Sequence, residues 1–147
     1  MSDLTFEVLD CPTNEQLVEA RDLRIEVFVQ EQGFELGNEM DEHDNHCWHV
    51  LVRKNGNLIG NSRVIQKKCG NFYLGRVLIK KTERGNGYST HMLNKVIDEC
   101  KKRGYNKLYT ESQMPVVGIY HKLGFKDQGP IFEVEGADHQ KMCLDLS

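Results

Sequence analysis

The feature that most constrains this chain is a glycine-containing loop, residues 80–90, that joins a β-rich run to a helical run. The β-rich run covers residues 72–79, and the helical run ends near Arg103. This order predicts a strand that enters a turn and a turn that opens a helix. Backbone N–H groups and the positive end of the helix dipole would then converge on one point. We therefore predict a phosphate or pyrophosphate site in this glycine loop, with a helix N-terminus that binds nothing as the alternative.

Two common nucleotide-binding loops do not match the glycine loop. A Walker A loop requires a lysine directly after its last glycine, whereas Gly87 is followed by Tyr88 and Ser89. A dinucleotide-binding loop requires a third small position that here falls on Thr90, and it follows a βαβ pattern. The strands before this loop instead have the pattern of an antiparallel meander. These mismatches exclude the P-loop kinase and dehydrogenase classes.

The composition indicates one globular domain over residues 1–147 and excludes several other classes. Of the 147 residues, 39% are hydrophobic and 28% are charged, which is an ordinary balance for a folded domain. The formal charge of −3 gives no electrostatic footprint for nucleic acid. No apolar run approaches the ~18 residues of a membrane span, and the N-terminus has no signal-peptide pattern. We therefore expect neither a nucleic-acid nor a membrane partner.

The cysteine pattern indicates a reducing compartment, and the histidine pattern does not predict a metal site. The five cysteines are odd in number, widely spaced and without a C-x-x-C pair, so we predict a cytoplasmic protein, with the nucleus as the alternative. His43, His46 and His49 with Cys47 could hold a metal only if they shared a helical face. The alternation at residues 49–52 indicates a strand that would scatter them.

Hydrophobic periodicity and turn residues predict the order β-α-βββ-α-β-α-ββ, an α+β or mixed three-layer domain with a mostly antiparallel sheet. A capping box, Thr13-x-x-Gln16, opens the first helix, which stops near residues 30–33. Asn55-Gly56 marks a hairpin turn, and Gly104 ends the second helix. The other predicted elements are strands at residues 6–9, 50–53, 58–65, 72–79, 107–110 and 141–146, an acidic loop at 35–45 and a short helix at 116–123.

Two motifs in this order resemble those of the GNAT superfamily of N-acetyltransferases. Arg84-x-x-Gly87-x-Ser89 is similar to its acetyl-CoA loop, [QR]-x-x-G-x-[GA], although Ser89 replaces the usual Gly or Ala. Tyr120-x-Lys122-x-Gly124-Phe125 resembles its second signature. Further similarity to the ElaA-like branch lies at residues 27–32, 39–41, 75–77 and 132–142.

The resemblance implies a GNAT-like fold and an acetyl-CoA-dependent N-acetyltransferase that needs no metal. It implies that Tyr120 faces the sulfur and, as general acid, protonates the departing thiolate. Gln113 stands where many relatives have an asparagine that contacts CoA. The backbone of Val77, Leu78 and Ile79 would face the pantetheine and acetyl group. The pyrophosphate cradle would comprise Arg84, Gly85, Asn86, Gly87, Tyr88, Ser89 and Thr90.

The acceptor side is less defined by sequence. Glu111 is our first candidate for the general base, followed by Glu133 and His139, and backbone N–H groups at Leu78 or Ile79 could hold the oxyanion. Acidic residues could form a rim that attracts an ammonium group. That rim would comprise Glu31, Glu39, Asp41 and Asp44, and we predict substrate contacts from Glu31, Asp41, Glu133 and His139.

We expect the acceptor to be a small primary amine, such as the amino sugar glucosamine or a polyamine. A protein or peptide amine is the alternative, and a non-catalytic acyl-CoA sensor is the alternative from another class. Cys100 and Cys143 fall in core patterns, which argues against acyl-enzyme chemistry. The last strand, if exposed, could pair across a homodimer.

Overall fold

A computed structural model describes residues 4–32 and 42–147, and its element order confirms the predicted α+β architecture. The strands are β1 (Leu4–Asp10), β2 (Trp48–Lys54), β3 (Asn57–Gln66), β4 (Phe72–Ile79), β5 (Lys107–Gln113), β6 (Lys126–Asp127), β7 (Phe132–Val134) and β8 (Ala137–Asp145). The helices are α1 (Val18–Arg24), α2 (Tyr88–Lys102) and α3 (Val117–Lys122), and α1 continues as a π-helical segment, Ile25–Glu31. Short 3-10 turns cover Glu42–His46, Lys81–Glu83 and Met114–Val116.

The hydrogen bonds of the predicted capping box are present, but they close a turn at residues 14–17, because α1 begins at Val18 and its N-cap is Leu17, without a side-chain cap. The Thr13 amide donates to Gln16 Oε1 at 2.9 Å, and the Gln16 amide donates to Thr13 Oγ1 at 3.2 Å. The end of the chain differs from the sequence-based expectation, because β8 begins at Ala137 and pairs with two short strands, β6 and β7. The Ala137–Val134 pair closes a tight β7–β8 hairpin around Glu135 and Gly136, both with positive φ.

The sheet has the order β1-β2-β3-β4-β5-β8-β6, and β7 also pairs with β8. All of its strand pairs are antiparallel except β4 with β5. The last strand therefore lies inside the sheet, between β5 and the short strands, so it does not offer the free edge on which we based a possible homodimer.

Helices cover the two faces of the sheet, which gives three layers. Leu17 and Ala20 pack against Leu51 on one face, and the buried Met92, Leu93, Val96 and Cys100 of α2 pack on the opposite face. We call these the α1 face and the α2 face. Successive strand residues point to opposite faces, so Leu51 meets α1 while its neighbours Val50 and Val52 join the core beneath α2.

A charged cluster is buried on the α1 face. Asp44, 1% exposed, accepts hydrogen bonds from Arg24 Nη1 at 2.9 Å and from Arg63 Nη1 at 2.9 Å. The expectation that Asp44 belongs to a solvent-facing acidic rim is therefore wrong. His49 lies beside this pair, and its pKa is lowered to about 4, first by burial. Its Nδ1 faces Arg24 Nη2 at 3.3 Å, so the ring is part of the cluster.

Candidate functional site

A cleft of about 720 Å³ opens where β4 and β5 separate. These parallel strands pair only at Tyr73–Tyr109 and Leu74–Thr110, and beyond Leu74 no described strand pairs with that edge of β4. The cleft is lined by both strands, the glycine loop, α3, the π-helical segment and the β7–β8 turn. A divergent parallel pair leaves strand-edge amides and carbonyls that an extended amide chain can bind.

The β4 wall contains a bulge. The register with β3 shifts between Asn61–Leu78 and Arg63–Gly75, and Arg76 has a φ of 51° in the left-handed region. Asn61, which is buried, donates from Nδ2 to the Arg76 carbonyl at 2.8 Å and so holds the bulge in place. A bulge bends its strand and raises the local twist, which turns β4 away from β5 at this point. Val77, Leu78 and Ile79 line the cleft beyond it.

The glycine loop forms the end of this wall. Gly85 and Gly87 have φ values of 83° and 76°, and nothing lies within 4 Å of a Cβ built on either. Backbone conformation, rather than space, is thus what requires glycine here. Gly87 is the N-cap of the 15-residue helix α2, whose first amides have no partner within the helix. Arg84, Gly85, Gly87, Tyr88 and Ser89 line the cleft.

Two predicted cradle residues lie off the cleft wall, whose lining includes neither Asn86 nor Thr90 among the residues that the structure describes. Asn86 Nδ2 instead donates to the Glu83 carbonyl at 3.1 Å, inside the loop. Thr90 is exposed on α2. The side chain of Asn86 thus supports the shape of the loop.

The π-helical segment contacts both walls of the cleft at its C-terminal end. Arg84 Nη2 donates to Glu31 Oε1 at 2.8 Å, and Nη1 bonds the other carboxylate oxygen. The hydrogen bond from Arg84 is the largest cause of the lowered pKa of Glu31. On the β5 wall, Gln113 Nε2 donates to Gln32 Oε1 at 3.2 Å. Sequence reasoning missed Gln32, because the hydrogen bond joins residues far apart in the chain.

Tyr120 lies beside the point where the two strands separate. It is 4% exposed, and its ring meets Phe125 edge-on at 5.4 Å between centroids. Burial raises the pKa of the phenol well above its ordinary value, and a hydrogen bond with Thr110 opposes this only in part. Thr110 Oγ1 in turn donates to the Leu74 carbonyl at 3.0 Å. The structure thus places a neutral phenol on the α2 face of the opening.

The predicted acceptor residues are scattered. Glu111 is 41% exposed on the α1 face, with its carboxylate 3.9 Å from Lys67 Nζ. His139 lines the cleft, its Nδ1 2.8 Å from the Ala137 carbonyl oxygen and its ring stacked on Phe132. Glu133 is exposed on β7 and is not among the described lining residues. Glu39 and Asp41 lie outside the described residues.

Sequence reasoning also missed three neighbours of Glu111. Lys67, Tyr73 and Lys141 come from different parts of the chain, and only the strand register brings them together. No motif marks them, so sequence offered no signal.

The histidines near residue 46 do not converge on a metal. His49 Nε2 lies 2.9 Å from the Asp44 carbonyl oxygen and 3.5 Å from Cys47 Sγ. Within residues 4–32 and 42–147, no three His, Cys, Asp or Glu side chains are grouped so as to hold a metal ion. The described helices also include none with the length and apolar character needed to cross a bilayer.

Comparison with known proteins gives consistent matches. Residues 12–146 match the family described as the acetyltransferase (GNAT) domain. A UPF0039 protein of Schizosaccharomyces pombe is 32% identical over 127 residues, which cover 84% of each chain. Escherichia coli ElaA has the same fold, with a TM-score of 0.88 at 23% identity over 97% of this chain and 99% of its own. The yncA protein of Salmonella typhimurium, solved with its cofactor acetyl-CoA, gives a TM-score of 0.75 at 13% identity, over 99% and 95% of the two chains.

Proposed function

This chain belongs to the GNAT acetyltransferase family, and on that premise we propose that its cleft transfers an acetyl group to a small-molecule primary amine. Family membership makes the protein an acetyl-CoA-dependent N-acetyltransferase; the acceptor and the role of each residue are the proposal. The observation that carries it is the position of Tyr120, a buried phenol beside the last paired residues of β4 and β5.

The residues present fit acetyl-CoA. The free edge of β4 after Leu74 suits the amides of a pantetheine arm, which would lie along Val77, Leu78 and Ile79 as an added strand does. The loop glycines turn the first amides of α2 toward the same cleft, where the helix dipole favours a pyrophosphate. Arg84 adds a cation, and Gln113 adds a polar group on the opposite wall.

Acetyl-CoA, when bound, supplies an acetyl group activated as a thioester. In the proposed transfer the neutral amine nitrogen bonds to the acetyl carbon, the C–S bond breaks and the amine loses one proton. Backbone N–H groups of Leu78 or Ile79 would stabilise the charge on the oxygen. The raised pKa of Tyr120 keeps the phenol neutral, so its O–H remains available as a hydrogen-bond donor when a thiolate is formed beside it. Tyr120 then hydrogen-bonds or protonates that sulfur.

The amine would approach from the α1 face, opposite Tyr120. Glu111 is on that face and remains our first candidate for the group that accepts the amine proton, directly or through water. Its carboxylate is partly exposed, so a water chain to solvent can complete the transfer. His139 lines the cleft on the β8 side and is the next candidate, whereas Glu133 lies outside the lining and is now the weakest.

The test combines binding with turnover. Acetyl-CoA should raise the Tm of the protein, and an amine screen that detects released CoA should find at least one acceptor. Tyr120→Phe should lower kcat by about 100-fold while the acetyl-CoA Kd changes little, since general acid–base groups contribute roughly 100- to 10,000-fold.

A matched control is Tyr105→Phe, which removes the phenol that accepts a hydrogen bond from Trp48 Nε1 at 3.0 Å and does not line the cleft. Unchanged kcat in Tyr120→Phe would refute the acid role. Acetyl-CoA binding without turnover of any amine would favour the sensor alternative.

A further inference from the structure

A group of five side chains lies where β4 and β5 pair, toward the opposite end of β4 from the glycine loop. It comprises Lys67, Tyr73, Tyr109, Glu111 and Lys141, and we call it the lysine subsite. Tyr73 precedes Ile79 by six residues of β4, which corresponds to ~20 Å of strand. A pantetheine arm that starts at the glycine loop would run toward this end and place its thioester short of it. The lysine subsite therefore lies where an acceptor would be bound.

Strand alternation puts the lysine subsite on the α1 face. Thr110 bonds to Leu74 and contacts Tyr120 on the α2 side, so its neighbours Tyr109 and Glu111 point to the α1 side. Lys141 is the partner of Glu111 in the β5–β8 register. The subsite and Tyr120 thus flank the opening from opposite faces, so an acceptor in the subsite would approach the thioester from the side opposite Tyr120.

The two tyrosines hold the lysine ammonium groups in place. Tyr73 and Tyr109 are partners in the β4–β5 register, and their rings stack with centroids 5.2 Å apart. Lys67 Nζ lies 3.9 Å from the Tyr73 centroid, and Lys141 Nζ lies 5.6 Å and 5.2 Å from the two centroids. Cation–π attraction at these distances orients both lysines over one aromatic surface.

The charges in the lysine subsite do not cancel. Glu111 is its single carboxylate, 3.9 Å from Lys67 Nζ, and Lys141 stands opposite it on the neighbouring strand. A hydrogen bond with the Tyr73 side chain is the largest cause of the raised pKa of Lys141, so this lysine stays cationic at neutral pH. Two ammonium groups against one carboxylate leave the subsite with net positive charge.

A second and more open depression, of about 490 Å³, lies beside the cleft at this point. Glu111 lines both cavities, and Lys141 lines the second with Phe132 and the turn at residues 128–130. A buried side chain holds this turn in place: Gln140 donates from Nε2 to the Gly129 carbonyl at 2.9 Å. A substrate can thus extend from the thioester into a space with a fixed wall and a cationic side.

We propose that the lysine subsite binds an anionic group of the acceptor, so the substrate is an amine that also carries a carboxylate or a phosphate. This inference rests on the proposed function and narrows it. It disfavours a polyamine, whose ammonium groups would meet Lys67 and Lys141 with like charge. Two members of the predicted acidic rim do not face an acceptor, since Asp44 is buried and Glu31 is paired with Arg84; the other two, Glu39 and Asp41, lie outside the described residues.

The experiment compares matched amines with and without an anionic group, and kcat/KM is expressed per neutral amine because the anion also changes the pKa of the amine. Glucosamine against glucosamine 6-phosphate tests phosphate, alaninamide against alanine tests carboxylate, and spermidine tests a polycation. In at least one pair the anionic member should have a kcat/KM about tenfold higher or more, the scale of one charged hydrogen bond. Lys141→Gln and Lys67→Gln should each raise KM for that member about tenfold more than they raise KM for the neutral member, whose turnover reports any indirect effect on Glu111.

Lys107→Gln is the matched control, an exposed lysine at the other end of β5. Equal use of both members of each pair, or a preference for spermidine, would overturn the inference while leaving the transferase function intact. If no amine is acetylated, calorimetric binding of the same amines to the CoA-bound protein decides the matter. Lysine-dependent binding of the anionic members would then support the subsite and refute transfer to these amines, and its absence would refute both the subsite and these amines as acceptors.

Discussion

The ion pair between Arg84 and Glu31 predicts that removing the carboxylate strengthens acetyl-CoA binding. The pair is bidentate and partly exposed, with 40% of the Arg84 side chain and 24% of the Glu31 side chain open to solvent. Exposed pairs contribute about 0.2–1 kcal/mol. A pyrophosphate in the glycine loop would compete with Glu31 for the same guanidinium donors. Glu31→Gln should therefore lower the acetyl-CoA Kd by about 1.4- to 5-fold.

Isothermal titration calorimetry at low and at high salt is the assay. The gain in acetyl-CoA affinity of Glu31→Gln should be smaller in high salt, because counterions screen exposed charges. Glu26→Gln is the matched control: Glu26 belongs to the same π-helical segment and lies 4.0 Å from Lys80, and neither residue is among the described lining of the cleft. It should leave the Kd near the wild-type value.

Weaker binding of acetyl-CoA by Glu31→Gln would refute this reasoning. It would mean that Glu31 holds Arg84 in the conformation that binds pyrophosphate. An unchanged Kd at both salt concentrations would mean that Arg84 makes no energetic contact with the ligand, and the cradle would then consist of backbone amides alone.

Two further predictions concern stability. Gly87→Ala should lower the Tm by several degrees and weaken acetyl-CoA binding, because a left-handed φ of 76° costs a residue with a Cβ about 1–2 kcal/mol. Gly118 lies in α3 with open space around it, so Gly118→Ala should change neither the Tm nor the binding. Because the pKa of His49 falls from 6.5 to about 4 on folding, its contribution to stability is complete above pH 6.5 and is lost as the pH falls toward 4. In urea unfolding, the free energy of unfolding of the wild-type protein should fall by about 2 kcal/mol between pH 7 and pH 5. This fall should be absent from His49→Asn, and an equal fall in that variant would contradict the assignment to His49.

The donor half of the site could be predicted because its signals are local. A strand, a glycine turn and a helix follow one another within residues 72–103, so the loop that they form needs no knowledge of distant contacts. The capping box at Thr13 is local in the same sense, and the structure contains its hydrogen bonds. Tyr120 was predicted from a motif that covers six residues on and after α3, Tyr120 to Phe125.

The proposed acceptor half could not be predicted, since its residues meet only through strand pairing. Tyr73 and Tyr109 are 36 positions apart, and their contact depends on the parallel pairing of β4 with β5. The acidic loop that contains Asp44 predicts a surface position for this residue. In the structure, two arginines from α1 and β3 pair with Asp44 in the interior. The position of β8 inside the sheet likewise depends on topology, because nothing in its own sequence distinguishes an inner strand from an edge strand.

The π-helical segment explains how one helix can reach both walls of the cleft. A regular α-helix closes each turn with an i to i+4 bond, but here the Gln32 amide bonds the Val27 carbonyl, five residues back, at 3.0 Å. Val27 is buried against Leu78 and fixes the start of this turn. Because a π-helical turn is wider than an α-helical turn, the residues after Val27 are rotated about the helix axis compared with their positions in a regular α-helix. Glu31 and Gln32 thereby meet the glycine loop and β5. If acetyl-CoA binds Arg84 and Gln113 as we propose, it would compete with both contacts, and donor binding would then be linked to the conformation of this segment.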